Sequence, residues 1–291
     1  MIKRVVFYLN HIKEDVFQTA RDCAEICRDY DIEPAILKDD LIEWENHFPG
    51  SNPPEAVNSP EKSDAIFVFG GDGTVLRAMD EYVDMGIPFL GINLGRLGFL
   101  PEVQTGEMKA AISRVAQGDY SLEHRMMLSY STRGESGELS GYATNEVSVS
   151  RGLSQRMIAM DVRANGTLVE HYIADGVLAA SPTGSTAYSL SAGGPIISPD
   201  VDCLLVNPIC PHTMVSRPLI LSDRSELEIN LNMKEKREGI QLSADGVTIC
   251  ELSVGDRVLV KRSPWDALML RLDKNRNFYK LLKSKLLESY L

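Results

Sequence analysis

The sequence has no apolar run close to the roughly 20 residues that a membrane-spanning helix needs. Basic residues are also few: 30 Lys and Arg stand against 41 Asp and Glu in 291 residues, a net charge of −11. Nucleic acids and anionic membrane surfaces are bound by basic patches, so we expect neither as a partner. Residues 1–7 enter a strand without the apolar segment and cleavage site of a signal peptide. We therefore expect a cytoplasmic protein that holds any polyanionic ligand through local loops and metal.

Cysteine is scarce, and the five present lack the paired C-x-x-C spacing of a zinc site. Most of them lie in apolar surroundings, and their number is odd. We therefore expect reduced core residues at all five positions, which are Cys23, Cys27, Cys203, Cys210 and Cys250.

The most informative segment is a glycine-rich turn between a strand-like run, 65–69, and a helix-like run, 75–79. It reads Gly70-Gly71-Asp72-Gly73-Thr74. Such a turn offers backbone N–H groups to phosphate. A carboxylate inside it would repel phosphate unless it held a metal ion or accepted a proton. Asp72 therefore indicates phosphoryl transfer.

Two better-known phosphate loops are excluded by the residues that follow the turn. A Walker loop needs Lys and then Ser or Thr after its last glycine, where this chain has Thr74-Val75. The dinucleotide fingerprint needs a third glycine, where this chain has Leu76. An ordinary solvated Asp-Gly turn is the remaining alternative. It is disfavoured because the Gly and Asp residues are so dense between a buried strand and a helix.

Residues 1–122 have the pattern of an α/β, Rossmann-like domain. Short apolar runs alternate with amphipathic stretches, which favours a parallel, doubly wound sheet with ligands at the carboxyl ends of its strands. Gly86 and Gly118 stand where helix C-caps belong. Residues 40–62 break the rhythm with several prolines, so we expect an irregular connection there. The predicted strands are 4–9, 34–37, 65–69 and 88–92, and the predicted helices are 15–30, 74–85 and 107–116.

Residues 123–273 have the pattern of a mostly β, sandwich-like domain. Short β-branched runs are separated by turn signals, without long helical patterns. Asn165-Gly166 predicts a tight hairpin. Residues 277–291 are helical in pattern, and we expect residues 274–291 to pack back on the first domain. The predicted strands are 143–150, 157–163, 168–173, 177–180, 219–221, 227–231, 240–243 and 257–261.

Small hydroxyl residues and glycines crowd the stretch 181–195, shortly after Asp175-Gly176. Such residues let backbone and side chains approach a polar ligand closely. A flexible linker is the alternative, and it is disfavoured because Pro182, Tyr188 and Pro195 are stiff or bulky. The stretch therefore predicts a binding surface.

Taken together, these motifs resemble those of the NAD kinases, enzymes that phosphorylate the 2′-hydroxyl of the adenosine ribose of NAD. The resemblance covers essentially the whole chain, with the motifs in the family's order. The glycine turn alone is shared with diacylglycerol-type lipid kinases and, more loosely, with 6-phosphofructokinases, whereas the combination is specific to NAD kinases. The motifs are Gly70–Thr74, Asn93–Leu100, Asn145-Glu146, Asp175-Gly176 and Ser181–Pro195.

The resemblance implies a catalytic role for Asp72. A carboxylate near a ribose hydroxyl can accept its proton as the oxygen attacks the γ-phosphorus. The amides of Gly70, Gly71, Gly73 and Thr74 would face the triphosphate of ATP. Mg²⁺ would be held mainly through ATP, with no protein ligand assigned. ATP is the default donor, although some relatives accept inorganic polyphosphate.

The resemblance also implies which residues bind NAD. Asn145 corresponds to the residue that hydrogen-bonds adenine, Glu146 to the acceptor of a ribose hydroxyl, and Asp175 to a carboxylate near the nicotinamide. Phe99 corresponds to a dinucleotide contact, with a plain core aromatic as the alternative. The role of Asp245 is left open. The full implied set is Asp72, Gly73, Phe99, Asn145, Glu146, Ile173, Asp175, Thr183, Thr186, Ala187, Tyr188, Ser191 and Asp245.

Ile173 departs from some bacterial relatives, which prefer NAD and have a basic residue at this place. The resemblance therefore does not imply a strict preference for NAD over NADH. It does imply a homodimer or homotetramer, and it leaves open a contribution to the site from a neighbouring subunit.

Two other functions are weighed against NAD kinase. A lipid kinase of the diacylglycerol or sphingoid type shares the glycine turn, but the acidic charge disfavours a membrane-facing patch. A dinucleotide sensor without turnover would have no need of Asp72.

Overall fold

The computed structural model describes residues 1–95, 98–154, 156–213, 215–232, 239–273 and 278–288. The chain divides into two compact units, residues 1–124 with 267–291, and residues 125–266. Within the described ranges, no helix is long and apolar enough to cross a bilayer.

The first unit alternates strands and helices, which confirms the predicted α/β class. Its strands lie parallel in the order β3-β2-β1-β4-β5. The chain leaves β1 toward β2 and β3 on one side, and later adds β4 and β5 on the other. The topological switch point therefore lies between β1 and β4. The elements are β1 (Arg4–Leu9), α1 (Val16–Asp29), β2 (Glu33–Leu37), α2 (Lys38–His47), β3 (Glu55–Val57), β4 (Ala65–Phe69), α3 (Asp72–Tyr82), β5 (Phe89–Asn93), β6 (Val103–Gln104) and α4 (Met108–Gln117).

Hydrophobic periodicity explains how these elements pack. Helix α1 buries Val16, Ala20 and Cys23 on one face, and these residues share a core cluster with Phe7 of β1. Every residue of β4 is buried, as expected for a strand covered on both faces. Gly86 and Gly118 adopt φ angles of 65° and 74°. They are left-handed C-caps, as predicted.

Residues 40–62 are more regular than predicted. The expectation of an irregular connection is wrong for α2 and for β3. Leu41, Trp44 and Phe48 are three and four residues apart, so they lie on one helical face, and they pack against the core of the first unit. Pro49, Pro53 and Pro54 fall between the two elements and Pro60 follows β3, so no proline interrupts either element.

The second unit is mostly β. One antiparallel sheet has the order β14-β13-β12-β9-β16-β17, and β11, β10, β15 and β18 are neighbours in another. Apolar residues from both sheets share one core, which confirms the sandwich-like class. Strands β7 and β18 cross the boundaries of the unit. The remaining elements are β7 (Ser121–Arg133), β8 (Ser140–Ala143), β9 (Glu146–Ser150), β10 (Ile158–Ala164), β11 (Thr167–Ala174), β12 (Gly176–Ala180), α5 (Tyr188–Ser191), β13 (Cys203–Ile209), β14 (Leu219–Ser222), β15 (Leu227–Leu231), β16 (Ile240–Ala244), β17 (Val247–Leu252), β18 (Arg257–Arg271) and α6 (Phe278–Glu288).

Several local predictions for this part of the chain can be compared directly. Asn165 and Gly166 have φ angles of 50° and 78° and join β10 to β11, which confirms the hairpin. The single strand predicted at 143–150 is instead two strands. Strand β18 continues to Arg271, beyond the predicted end at residue 261. Strands β7, β13 and β17 were not predicted.

The final helix and the cysteines complete the comparison. Helix α6 lies within the predicted helical range, of which residue 277 and residues 289–291 are outside the described residues. All five cysteines are free, and Cys23, Cys27 and Cys203 are buried. The core expectation is wrong for Cys210, which is exposed, and Cys250 is only half-buried. Cys210 follows the last residue of β13 and has a φ angle of 46°, so it leaves the sheet in a turn.

Candidate active site

The glycine turn lies at the carboxyl end of β4, beside the switch point, and becomes the first turn of α3. The N–H of Gly70 donates to the Ile92 carbonyl at 2.9 Å, and that of Thr74 donates to the Gly71 carbonyl at 3.0 Å. These two amides are engaged within the protein, whereas the resemblance implied that they face a triphosphate.

The other N–H groups of the turn are available. Those of Gly71, Asp72 and Gly73 have no partner among the described residues. They belong to the start of a helix, where unpaired N–H groups and the helix dipole stabilise anions.

The Asp72 carboxylate is held from across the unit. Its Oδ2 accepts the N–H of Phe99 at 3.1 Å, and its Oδ1 accepts the N–H of Leu100 at 2.8 Å. A Cβ on Gly98 would lie 2.2 Å from Oδ1, so a larger residue here would displace the carboxylate. The end of the motif Asn93–Leu100 therefore fixes the orientation of the carboxylate. Arg96 and Leu97 of that motif lie outside the described residues.

In the second unit, Asn145 and Glu146 stand at the break between β8 and β9. The Asp245 carboxylate spans this break. Its Oδ2 accepts the N–H of Thr144 at 2.8 Å, and its Oδ1 accepts the N–H groups of Asn145 and Glu146 at 2.8 and 3.0 Å. Asp245 itself is in a turn between β16 and β17, with a φ angle of 46°. The question that the sequence left open thus has a structural answer, because Asp245 orients the Asn145-Glu146 pair.

Glu146 is a buried acceptor with spare capacity. The residue is 5% exposed, and its Oε2 has no hydrogen-bond partner in the described part of the chain. Burial, and then the charge of Asp245, raise the pKa of Glu146 from its ordinary 4.5 to about 7, against the opposing effect of a hydrogen bond from the Tyr188 N–H. Buried carboxylate oxygens are nearly always hydrogen-bonded. The arrangement therefore suits a ligand hydroxyl at Oε2.

The Ser/Gly stretch is built against this pair. It forms a short 3₁₀ helix, Thr183–Thr186, followed by α5. A Cβ on Gly184 would lie 2.0 Å from the Asn145 carbonyl oxygen, and the Ser181 N–H donates to that oxygen at 2.9 Å. Close backbone contact therefore explains the glycine at position 184.

Tyr188 lies in the same neighbourhood. Its pKa is raised by burial and then by the charges of Cys210, Glu146 and Asp175. The structure thus brings Tyr188 together with two of the predicted carboxylates and with Cys210, which sequence reasoning missed. The predicted residues with accessible surface here are Asn145, Thr186, Ala187, Tyr188 and Ser191, whereas Thr183 is buried.

Asp175 has a partner that the sequence did not reveal. Arg151, just after β9, donates from Nε to Asp175 Oδ1 at 2.7 Å. Ile173, the position where some relatives have a basic residue, is 43% exposed. A basic group therefore reaches Asp175 from another strand. No local sequence signal marks Arg151, because the pairing depends on the register of β9 against β12.

Phe99 is half-buried, and its backbone N–H serves Asp72. Its side-chain role as a dinucleotide contact stays a prediction.

The chain matches two family models. Residues 52–120 match the ATP-NAD kinase N-terminal domain, and residues 144–272 match the ATP-NAD kinase C-terminal domain. Among curated proteins, it is similar to the NAD kinase of Symbiobacterium thermophilum, 45% identical over 224 residues, which covers 77% of this chain and 78% of the relative. It is also similar to the NAD kinase of Desulforamulus reducens, 40% identical over 240 residues, with 81% and 82% covered.

A solved structure supports the same relationship. The yeast NADH kinase in complex with NADH superposes with a TM-score of 0.87 at 26% identity, covering 98% of this chain and 87% of the yeast chain. The two family models and the relatives at 40% and 45% identity agree with the fold and with the motifs described above. The chain belongs to the ATP-NAD kinase family.

Proposed function

We propose that the chain is an NAD kinase that transfers the γ-phosphoryl group of ATP to the 2′-hydroxyl of the adenosine ribose of NAD, which gives NADP. The observation that carries the proposal is the Asp72 carboxylate, which lies inside a phosphate loop and is fixed by the backbone N–H groups of Phe99 and Leu100. The chain that contains it belongs to this family. The lipid-kinase alternative has no support from the family models or from the relatives.

Asp72 is the proposed general base. Its oxygens keep lone pairs beyond the two N–H contacts and can accept the proton of the 2′-hydroxyl. The hydroxyl oxygen then forms a bond to the γ-phosphorus as the bond from that phosphorus to the bridging oxygen breaks, and ADP leaves with the electron pair. A fixed carboxylate needs no reorientation during this step, which favours the reaction.

The N–H groups of Gly71, Asp72 and Gly73 are the proposed donors to the triphosphate. Gly70 and Thr74 are part of the same proposed phosphate loop, and their own amides make hydrogen bonds within the protein.

Magnesium is the proposed ion of the donor complex. Within the described ranges, no group of three or more His, Cys, Asp or Glu side chains is placed to hold a metal ion, and the loop itself offers one carboxylate, Asp72. As the resemblance to NAD kinases implies, the ion would be held mainly by the phosphates of ATP. When bound, Mg²⁺ neutralises phosphate charge that this acidic protein does not.

The second unit is the proposed dinucleotide-binding part. Glu146, with an unpartnered Oε2, would accept a ribose hydroxyl, and Asn145 would hydrogen-bond the adenine. Asp175 would lie near the nicotinamide. The other proposed contacts, which keep their assignment from the resemblance, are Gly73, Phe99, Ile173, Thr183, Thr186, Ala187, Tyr188 and Ser191. Asp245 contributes indirectly, through the backbone of the Asn145-Glu146 pair.

NADH is included among the proposed acceptors. The yeast structure described above is that of an NADH kinase with NADH bound, and Ile173 supplies no charge that would select the oxidised ring. We further propose that the protein is cytoplasmic and, as the family resemblance implies, a homodimer or homotetramer.

Incubation of the purified chain with Mg-ATP and either NAD or diacylglycerol tests the proposal. NADP, detected with an NADP-specific dehydrogenase, should form from NAD and require ATP. Phosphatidic acid without NADP would support the lipid kinase instead. Tight NAD binding with neither product would support a sensor.

A further inference from the structure

A side chain from the start of the chain contacts the phosphate loop. β1 and β4 flank the switch point, with Leu9 opposite Phe69 at their carboxyl ends. The next residue, Asn10, donates from Nδ2 to the Thr74 Oγ1 at 2.9 Å. Residues 1–51 lie outside both matched family models. Asn10 therefore lies outside the residues that the family models match.

Thr74 determines where the loop backbone can lie. Its side chain is buried at 2% exposure. A Cβ built on Gly70 would lie 2.2 Å from the Thr74 Oγ1 and 2.6 Å from its Cβ. The Thr74 side chain thus fills the space where a side chain at position 70 would lie, and the loop backbone packs beside it.

Asn10 is itself held in place. Its Oδ1 accepts the N–H of Ile12 at 3.2 Å, and its backbone N–H donates to the Phe69 carbonyl at 3.3 Å. The neighbouring His11 contacts Asp40 of α2, with Nε2 and Oδ1 2.5 Å apart. Asp40 is 5% exposed. Hydrogen bonds to β4 and to α2 therefore hold the turn after β1 in place. From this fixed position, Asn10 can hold Thr74 in one rotamer.

We propose that Asn10 is a positioning residue for the donor phosphates. By its hydrogen bond to Thr74 it fixes the side chain beside which the loop backbone packs, and so keeps the N–H groups of Gly71, Asp72 and Gly73 in the geometry that receives the triphosphate. The inference rests on the proposed role of the loop in binding ATP. It predicts a defect mainly in the use of the donor, because the Asn10 side chain makes its hydrogen bond to the phosphate loop of the first unit.

Steady-state kinetics of Asn10→Ala tests this inference. We expect the KM for ATP to rise about three- to tenfold and kcat to fall by up to about tenfold, with the KM for NAD unchanged within twofold. Asn52→Ala is the matched control, since Asn52 is exposed in the connection between α2 and β3. It should behave as the wild type.

A double-mutant cycle with Thr74 tests the route through its hydroxyl. Thr74→Val removes the hydroxyl at nearly constant volume, and Thr74→Ser keeps it. Asn10→Ala should add no further defect to Thr74→Val but should still impair Thr74→Ser. Full additivity with Thr74→Val would overturn the proposed route.

The outcomes separate this inference from the proposed function. A wild-type chain that makes no NADP would refute the function itself. An active wild type, together with an Asn10→Ala variant whose ATP parameters stay within twofold, would refute only the role of Asn10. An equal rise of KM for both substrates, or a large fall in melting temperature, would show general damage and would also overturn the inference.

Discussion

Replacing Glu146 by Gln should change the pH dependence of stability. Folding raises the pKa of Glu146 from 4.5 to about 7, so the folded state binds this proton more tightly than the unfolded state. Between these two values the folded state therefore loses stability as pH rises. Gln has nearly the same shape and no titrating group. Relative to the wild type, the variant should become progressively more stable from about pH 5 to pH 8.

The magnitude follows from the two pKa values. The rise in pKa from 4.5 to about 7 corresponds to about 3 kcal/mol of unfolding free energy, at roughly 1.4 kcal/mol for each pKa unit. Glu146 is almost fully buried, so solvent screening reduces this figure little. Any change in the hydrogen bond from the Tyr188 N–H adds an offset that does not depend on pH. The pH-dependent part of the difference is thus the quantity to measure.

Urea unfolding at several pH values between 5 and 9 provides the measurement. The chain has two tryptophans, Trp44 in the first unit and Trp265 in the second. A Trp44→Phe background leaves Trp265 as the reporter for the unit that contains Glu146. Glu251→Gln is the matched control, because Glu251 is an exposed glutamate of the same unit. Its stability difference from the wild type should stay flat across the pH range.

The same substitution should weaken NAD binding. Loss of the hydrogen bond between a ribose hydroxyl and the carboxylate should weaken the binding free energy by about 1–3 kcal/mol. Calorimetry should therefore show a Kd for NAD that is raised by roughly tenfold or more. A residue that destabilises the folded protein but improves ligand binding, as we expect of Glu146, is typical of functional sites. A stability difference between Glu146→Gln and wild type that does not vary with pH would refute the buried-carboxylate reasoning. An unchanged Kd would remove Glu146 from the NAD site.

Other substitutions test the remaining assignments. Asp72→Asn should lower turnover by roughly 10²–10⁴ while the Kd for NAD stays within a few-fold, and near-normal turnover would exclude Asp72 as the base. Asp245→Asn should destabilise the protein by about 1–3 kcal/mol, because a backbone N–H loses its acceptor, and it should raise the KM for NAD. Loss of the Asp245 charge should also lower the pKa of Glu146. Measuring the affinity for NAD as a function of pH would detect that change. The wild type should phosphorylate NADH measurably, since Ile173 cannot select the oxidised ring by charge, and the absence of any NADH activity would place selectivity elsewhere in the site.

Much of the fold followed from local sequence. The βα alternation of the first unit, the left-handed caps at Gly86 and Gly118 and the Asn165-Gly166 hairpin each depend on a few neighbouring residues. Side-chain periodicity and the allowed φ range act within single elements, so a sequence can display them. The prediction went wrong for α2, where nearby prolines obscured a helical face of Leu41, Trp44 and Phe48.

The glycine turn with its embedded carboxylate was also evident from the sequence, because it is local, whereas the other site residues came from the resemblance to NAD kinases. The contacts between the site residues were not evident from the sequence. Asp245 holds Glu146 from 99 residues away, Leu100 donates to Asp72 from 28 residues away, and Arg151 reaches Asp175 only because β9 pairs with β12 in one register. The raised pKa of Glu146 likewise arises from burial and a distant charge. Hydrogen bonds and desolvation depend on which side chains the sheets bring within a few ångströms, and only the tertiary structure decides that.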